Sequence, residues 1–228
     1  MSSYETSVKT AIKNCLSYSG LKGDSKEKVL LMYSGGMDSV SLLWNLLEHT
    51  DHEIYVHAIH LQNKEGRYRA EAQAIFKTIE YMKENQRSFD FSSSIYSFMA
   101  PGCGGRDMTL ALFQASRVGA ALGKAFSAVY SGDYNMSKEE STEAYGVFNA
   151  AFVNKRFKPV WATPFDFMSK IPVERSKGVY LSMPEPLRNL YWSCRKPTEV
   201  AGGFLSCGEC HACDRQKRMK EDLKNANG

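Results

Sequence analysis

Hydrophobic and polar positions along the chain follow two periods in turn. Val29–Tyr33 is an unbroken apolar run that stops at Ser34-Gly35-Gly36, and apolar residues resume at Val40, Leu42, Leu43 and Leu46 with the spacing of one helix face. The same reading predicts a second strand over Glu53–Leu61 and a helix over Arg67–Lys83, through Ala70, Ala74, Ile75, Ile79 and Met82. A third strand is expected over Phe89–Tyr96, then an alanine-rich helix over Asp107–Leu122 and a fourth strand over Ala125–Tyr130. Glu140–Val153 reads as a helix, and Lys158–Trp161 as a short strand leading into Ala162-Thr163-Pro164-Phe165. Strands and helices alternating at this spacing predict an α/β fold, a doubly wound parallel sheet with helices on both faces. Residues 1–24 read as an N-terminal helical segment, 25–190 as the α/β domain and 191–228 as a small C-terminal appendage.

Composition bounds the picture without redirecting it. The 228 residues are long enough to bury a sizeable core. A hydrophobic content of 43% with 24% charge is that of an ordinary globular protein. The net charge of +4 suits a nucleotide or another anionic substrate and is too weak to argue for nucleic acid as a required partner. No apolar run approaches the ~20 residues of a membrane span, so no membrane is expected. The first twenty residues lack the apolar core of a signal peptide. A cytoplasmic setting follows as the default expectation, and there six cysteines do not read as disulfides.

The break after the first strand carries the first chemistry. A strand, a glycine turn and a helix start make an anion site, because glycines let backbone N–H groups approach and the first helical turn aims its own at the ligand. The candidate loop runs Tyr33, Ser34, Gly35, Gly36, Met37, Asp38, Ser39 and Val40. Ser34 and Ser39 add hydroxyls, and Asp38 is placed to reach a metal ion riding on phosphates. The GxxxxGK[ST] pattern is absent, which removes the common kinase and GTPase design.

The second chemistry lies near the other end. Cys194, Cys207, Cys210 and Cys213 have the spacing C-x12-C-x2-C-x2-C. Two CxxC steps sharing Cys210 bring three thiolates round one centre, with Cys194 arriving from a distant loop. Four thiolates make a closed tetrahedral Zn²⁺ site. A C-x2-C-x2-C run also occurs in iron–sulfur ligation, but the bacterial pattern continues to a Cys before Pro, whereas Asp214 and Arg215 follow here. Free thiols are the remaining alternative. His211 inside the loop reads as a bystander, and the basic stretch Asp214–Lys220 as a solvated terminal helix.

An SGGMDS loop near the N-terminus joined to this cysteine quartet resembles the 7-cyano-7-deazaguanine synthase family of ATP pyrophosphatases, over about residues 28–218. Arg67-Tyr68-Arg69-Ala70-Glu71 resembles the family's RHRAE element, and Gly105-Arg106-Asp107 its PGRN segment. Tyr130-Ser131-Gly132, Thr163-Pro164 with Ser169-Lys170, and Trp192-Ser193-Cys194 with Cys207–Cys213 resemble further family elements. The resemblance implies ATP and Mg²⁺ at the loop, Zn²⁺ on Cys194, Cys207, Cys210 and Cys213, and a homodimer, as several relatives pair. It implies ATP-dependent conversion of 7-carboxy-7-deazaguanine to the nitrile precursor of queuosine with ammonia. The ammonia is free or delivered by another protein, since no glutaminase triad is apparent.

On this resemblance the catalytic candidates are Asp38, Ser39, Arg106 and Lys170. Arg106 would clamp a phosphate or the substrate carboxylate, and Lys170 would neutralise pyrophosphate. Asp133 and Glu143 could meet the edge of a base. Arg67 and Arg69 read as a solvated helix face, with Glu71 pairing one of them, and His57 and His60 as structural. The chain departs from the family where an SGYPDCR-like segment is expected. Met136–Tyr145 stands there without its Cys and Arg, and Cys103 and Gly104 disturb the PGRN match. Two enzymatic readings stay open, the deazaguanine synthase and an adenylating enzyme acting on another carboxylate or base. A non-catalytic nucleotide-binding module is the third.

Overall fold

A computed structural model of the chain describes residues 28–63, 65–97, 107–121, 128–130, 158–159 and 175–226, with positions 142 and 146 singly. The N-terminal segment, the expected helix over Glu140–Val153 apart from those two single positions, Arg106, Lys170, Asp133, Glu143, Cys15 and Cys103 lie outside the described residues.

The apolar runs form strands and the amphipathic stretches form helices, in the expected order. Strand β1 (Lys28–Tyr33) leads into helix α1 (Met37–His49), then β2 (Glu53–Gln62), α2 (Tyr68–Asn85), β3 (Asp90–Ser97) and α3 (Asp107–Ala121). Strands β4 (Ala128–Tyr130) and β5 (Lys158–Pro159) complete a five-stranded sheet in the order β3-β2-β1-β4-β5. Every pairing in it is parallel: Lys28 stands beside Glu53, Val29 beside Ala128, Tyr55 beside Asp90 and Ala128 beside Lys158. The fold is α/β with a parallel sheet, as the alternation required.

β1 lies between β2 and β4 and is apolar throughout from Val29 to Tyr33, all buried. That is the pattern of a strand covered on both faces. After β3 the chain crosses back over β1 to form β4, so the direction of winding reverses between β1 and β4. With right-handed crossovers the reversal puts α1 and α2 on one face and α3 on the other. It also parts the loops at the carboxyl end of β1, where open α/β sheets bind ligands.

The main core joins β1 and β2 to α1 and α2 through Leu31, Val40, Leu43, Leu46, Val56, Ile75, Ile79 and Met82. Helix α4 (Arg175–Leu181) packs against α1, and the single turn α5 (Glu185–Arg188) follows it with Leu187 in the main core. Ser41 and Asn45 of α1 meet Ser182 there in a buried polar knot. The two hydroxyls are 2.8 Å apart, and the Asn45 amide donates to Ser182 Oγ at 3.0 Å. A hairpin, β6 (Thr198–Val200) and β7 (Gly203–Leu205), follows, and the long helix α6 (His211–Ala226) ends the described chain. α6 is tied into the main core by Met219, which is buried among its residues.

Candidate functional site

Gly35 turns the chain out of β1 with φ of +71°, a conformation open to glycine at no steric cost. A Cβ at this position would stand 2.7 Å from Ile75 Cγ1 and 3.2 Å from the Ile75 backbone nitrogen, so the turn lies flat against α2. Gly36 is extended and caps α1, and no side chain caps that helix start. The two serines brace the turn from within. Ser39 Oγ donates to the Gly36 carbonyl at 3.1 Å and accepts the Ser34 N–H at 3.3 Å, with the hydroxyls themselves 3.1 Å apart. No side chain caps the first turn of α1, and Asp38 stands in that turn.

The turn opens into a cleft of about 440 Å³. Of the expected loop residues, Tyr33, Ser34, Gly36, Met37, Asp38 and Ser39 line it, while Gly35 is packed behind and Val40 is buried in the core. Met32, Ile59, Leu61, Leu110 and Ala111 form an apolar wall from the ends of β1 and β2 and from α3. Trp192, Ser193, Arg195, His211, Ala212 and Arg215 line it from the C-terminal region.

Glu71 lines the cleft and pairs with Arg67 as expected. Arg67 needs correction: it read as a solvated helix face, yet it lines the cleft and its side chain is only 12% exposed. Its guanidinium meets three carboxylates: Asp107 at 2.6 Å, Glu65 at 2.8 Å and Glu71 at 3.3 Å. Arg195 reaches the same Glu65 at 3.4 Å. Burial pushes the Glu71 carboxyl above the usual range, and the Arg67 charge only partly offsets it. Arg69 behaves as expected for a surface residue, pairing with exposed Glu199 and lying over the Phe204 ring.

Asp38 and Ser39 line the cleft, whereas Arg106 and Lys170 lie outside the described residues. His57 and His60 are buried in β2 away from the turn, and neither lines the cleft. Sequence reading missed Arg215 and His211. The missed signal was the phase of α6: Ala212, Arg215, Gln216 and Met219 recur at helical spacing and are the covered positions, while Lys217, Arg218 and Lys220 are exposed.

The four cysteines converge as their spacing required. All four Sγ atoms lie within 4.8 Å of one another. Cys194–Cys207 is 3.6 Å, Cys210–Cys213 3.5 Å and Cys207–Cys213 3.9 Å. Gly208 (φ +76°) makes the tight turn between Cys207 and Cys210, and Cys213 sits in the first turn of α6. A single ion with bonds of ~2.3 Å in tetrahedral geometry needs sulfurs about 3.8 Å apart, so the donor set fits one metal ion. A cubane cluster sets an iron behind each thiolate and demands a wider frame. Cys210 is inclined to the thiolate although burial opposes it. The Arg195 backbone N–H, donating to its sulfur at 3.4 Å, helps to lower its pKa to about 6.

The cysteine site and the turn are physically joined. The Trp192 N–H donates to the Gly35 carbonyl at 3.0 Å, and the Trp192 indole N–H donates to the Cys194 carbonyl at 2.9 Å. One residue thus touches both.

No protein-family model matches the chain. None of the curated proteins does either. Among solved structures it is similar to the U34-tRNA thiolase NcsA from Methanococcus maripaludis, determined with its [4Fe–4S] cluster. The TM-score is 0.48 and the identity 12%, over 95% of this chain and 73% of that one. A likeness at this level bears on neither substrate nor cluster.

Proposed function

We propose that the cleft binds ATP with Mg²⁺ and adenylates a substrate, releasing pyrophosphate. The observation that carries this is the start of α1. It is uncapped by any side chain, it lies at the carboxyl end of the central strand where the winding reverses, and it opens into a cleft of nucleotide size. The serine-braced turn offers N–H groups to phosphate, Asp38 is poised for Mg²⁺, and Met32, Ile59 and Leu61 offer an apolar bed for a base. The cysteine quartet reads as a structural Zn²⁺ site, since four thiolates leave no open position for a catalytic water.

The reaction we favour is the one the resemblance implies, formation of the nitrile from 7-carboxy-7-deazaguanine. A carboxylate oxygen attacks the α-phosphorus of ATP and pyrophosphate leaves, giving an acyl-adenylate. Ammonia attacks the acyl carbon, AMP leaves and an amide forms. The amide oxygen attacks the α-phosphorus of a second ATP, a second pyrophosphate leaves, and loss of AMP with the two amide protons gives the nitrile. The protein's share is to hold the nucleotide in line and to stabilise charge on the departing pyrophosphate.

One observation favours a second reading, adenylation of a different substrate. Arg67, at the cleft wall, is already engaged by Asp107, Glu65 and Glu71, so that wall offers a substrate carboxylate more acid than base. The test is product analysis by mass spectrometry with purified protein, ATP, Mg²⁺, ammonium and 7-carboxy-7-deazaguanine, with AMP measured in parallel. Nitrile with two AMP per product is the expected result. A folded, ATP-binding protein that makes neither amide nor nitrile moves the assignment to the second reading.

A further inference from the structure

We propose that Arg215 is a phosphate-binding residue of the cleft, reaching from α6 to hold the pyrophosphate portion of the nucleotide against the Ser34–Ser39 turn. The inference rests on the ATP reading of this cleft and adds a residue that the loop motif does not contain.

Three arginines line the cleft, and their partners separate them. Arg67 is held by three carboxylates and Arg195 by Glu65. The Nε of both Arg67 and Arg215 is buried without a hydrogen-bond partner, but Arg67 has carboxylates beside it whereas Arg215 makes no ion pair among the described residues. A buried N–H of a charged group left in this state carries the desolvation cost of an unmade hydrogen bond. A phosphate oxygen from the cleft removes that cost, and the planar guanidinium fork matches two such oxygens at once.

The position is also fixed in advance. α6 is pinned at its start by Cys210 and Cys213 and farther along by Met219 in the main core. Ala212, Arg215 and Met219 share its covered side, so the Arg215 stem is held towards the cleft instead of ranging through solvent. The lining divides by chemistry in the same sense. Met32, Ile59, Leu61, Leu110 and Ala111 suit a base and sugar; of the polar lining, Arg67, Glu71 and Asp107 are engaged with one another, which leaves the turn, Ser193 and Arg215 suited to the phosphate chain. Buried Tyr191 lies within electrostatic reach of both Arg215 and Asp38, which puts the cation and the acid of the cleft in one neighbourhood. With Asp38 turned to Mg²⁺, a cation is needed for the remaining phosphate charge, and Arg215 supplies it.

The test is calorimetric titration of the full-length, metal-loaded protein with inorganic pyrophosphate, ATP and AMP, each with Mg²⁺. Arg215→Met keeps the apolar stem and its packing while removing the guanidinium, and Arg215→Lys keeps the charge without the fork. Arg215→Met is expected to weaken pyrophosphate and ATP binding tenfold to a hundredfold, the range for a charge-assisted hydrogen bond. AMP affinity and the metal-to-protein ratio should be unchanged, and Arg215→Lys should fall between Arg215→Met and wild type. Wild-type affinity for pyrophosphate and ATP in Arg215→Met overturns the proposal. Equal weakening of all three ligands also overturns it, because that is the mark of a disturbed cleft and not of a lost phosphate contact. A wild-type protein that binds neither ATP nor pyrophosphate overturns the ATP reading itself.

Discussion

At the scale of single residues, the two glycines of the turn do different things, and the difference can be measured. Gly35 is held at φ +71° with Ile75 filling the space a side chain would need, whereas Gly36 has an ordinary φ of −79° and more room. At Gly36 a Cβ would meet nothing nearer than Ser34 Oγ at 3.4 Å and the Trp192 carbonyl at 3.6 Å. Gly35→Ala must therefore strain the backbone and push against α2 together, a cost of about 2–4 kcal/mol. Gly36→Ala changes stability by about 1 kcal/mol or less. Urea denaturation of the two variants should separate them in that order, and Gly35→Ala should also lose ATP affinity, because the N–H groups of the turn move with its backbone. Equal stability in the two variants would show that the turn is not the rigid cradle described above.

At the scale of elements, legibility followed length and uniformity of period. β1, β2, β3, α2 and α3 lie within two residues of their expected bounds because each carries one period over eight or more residues, or, in the case of β1, is apolar from Val29 onward. α4 and α5 have seven and four residues, and β6 and β7 three each, too few for any period to show. α6 was read as solvated because its covered side carries Arg215 and Gln216 where apolar residues would have announced it. Arg67 was misread for the same reason: a charge on a helix looks solvated until its three partners arrive from Glu65, Glu71 and Asp107, the last 40 positions away. The cysteines needed no such context, since their spacing alone states their geometry. β3, with its Ser92-Ser93-Ser94 run, is held to β2 by side chains as well as by the ladder. The His57 ring nitrogens stand 2.7 Å from Ser92 Oγ and 3.0 Å from Ser94 Oγ. Burial, helped by the nearby charge of His60, lowers the His57 pKa to about 4 from an ordinary value of 6.5. The unfolded chain therefore takes up the proton first as pH falls, so this contribution to stability is complete above 6.5 and is lost as pH falls through about 4. Lowered His60 acts in the same sense, and raised Glu71 in the opposite one. Comparing wild type with His57→Gln isolates the one residue: the urea midpoint of wild type should fall more between pH 7 and pH 5 than that of the variant. Parallel slopes would mean that His57 is not buried in its neutral form.

At the scale of the whole molecule, the C-terminal region completes the cleft in addition to closing on its own cysteine quartet. Trp192 carries the connection, donating its backbone N–H to Gly35 and its indole N–H to the Cys194 carbonyl. Arg195, His211, Ala212 and Arg215 enter the cleft from the residues that flank or lie among the cysteines. Metal binding of this type is itself folding free energy for the segment that holds the ligands. Removing the metal should then release Trp192 from the turn and Arg215 from the cleft while the β1–β3 sheet and the main core persist. ATP binding reports this through linkage, since a ligand at 100 times its dissociation constant stabilises the fold by about 2.7 kcal/mol, and a tenfold weaker one at the same concentration by about 1.4 kcal/mol. Thermal melts with and without ATP and Mg²⁺, before and after the metal is stripped by a thiolate-competing chelator that is then removed, should show the ATP-induced rise in melting temperature cut to half or less. A metal-free protein that keeps a cooperative melt and the full ATP-induced rise would show that the turn holds its geometry without the Trp192 strap. It would confine the cysteine site to the stability of its own segment.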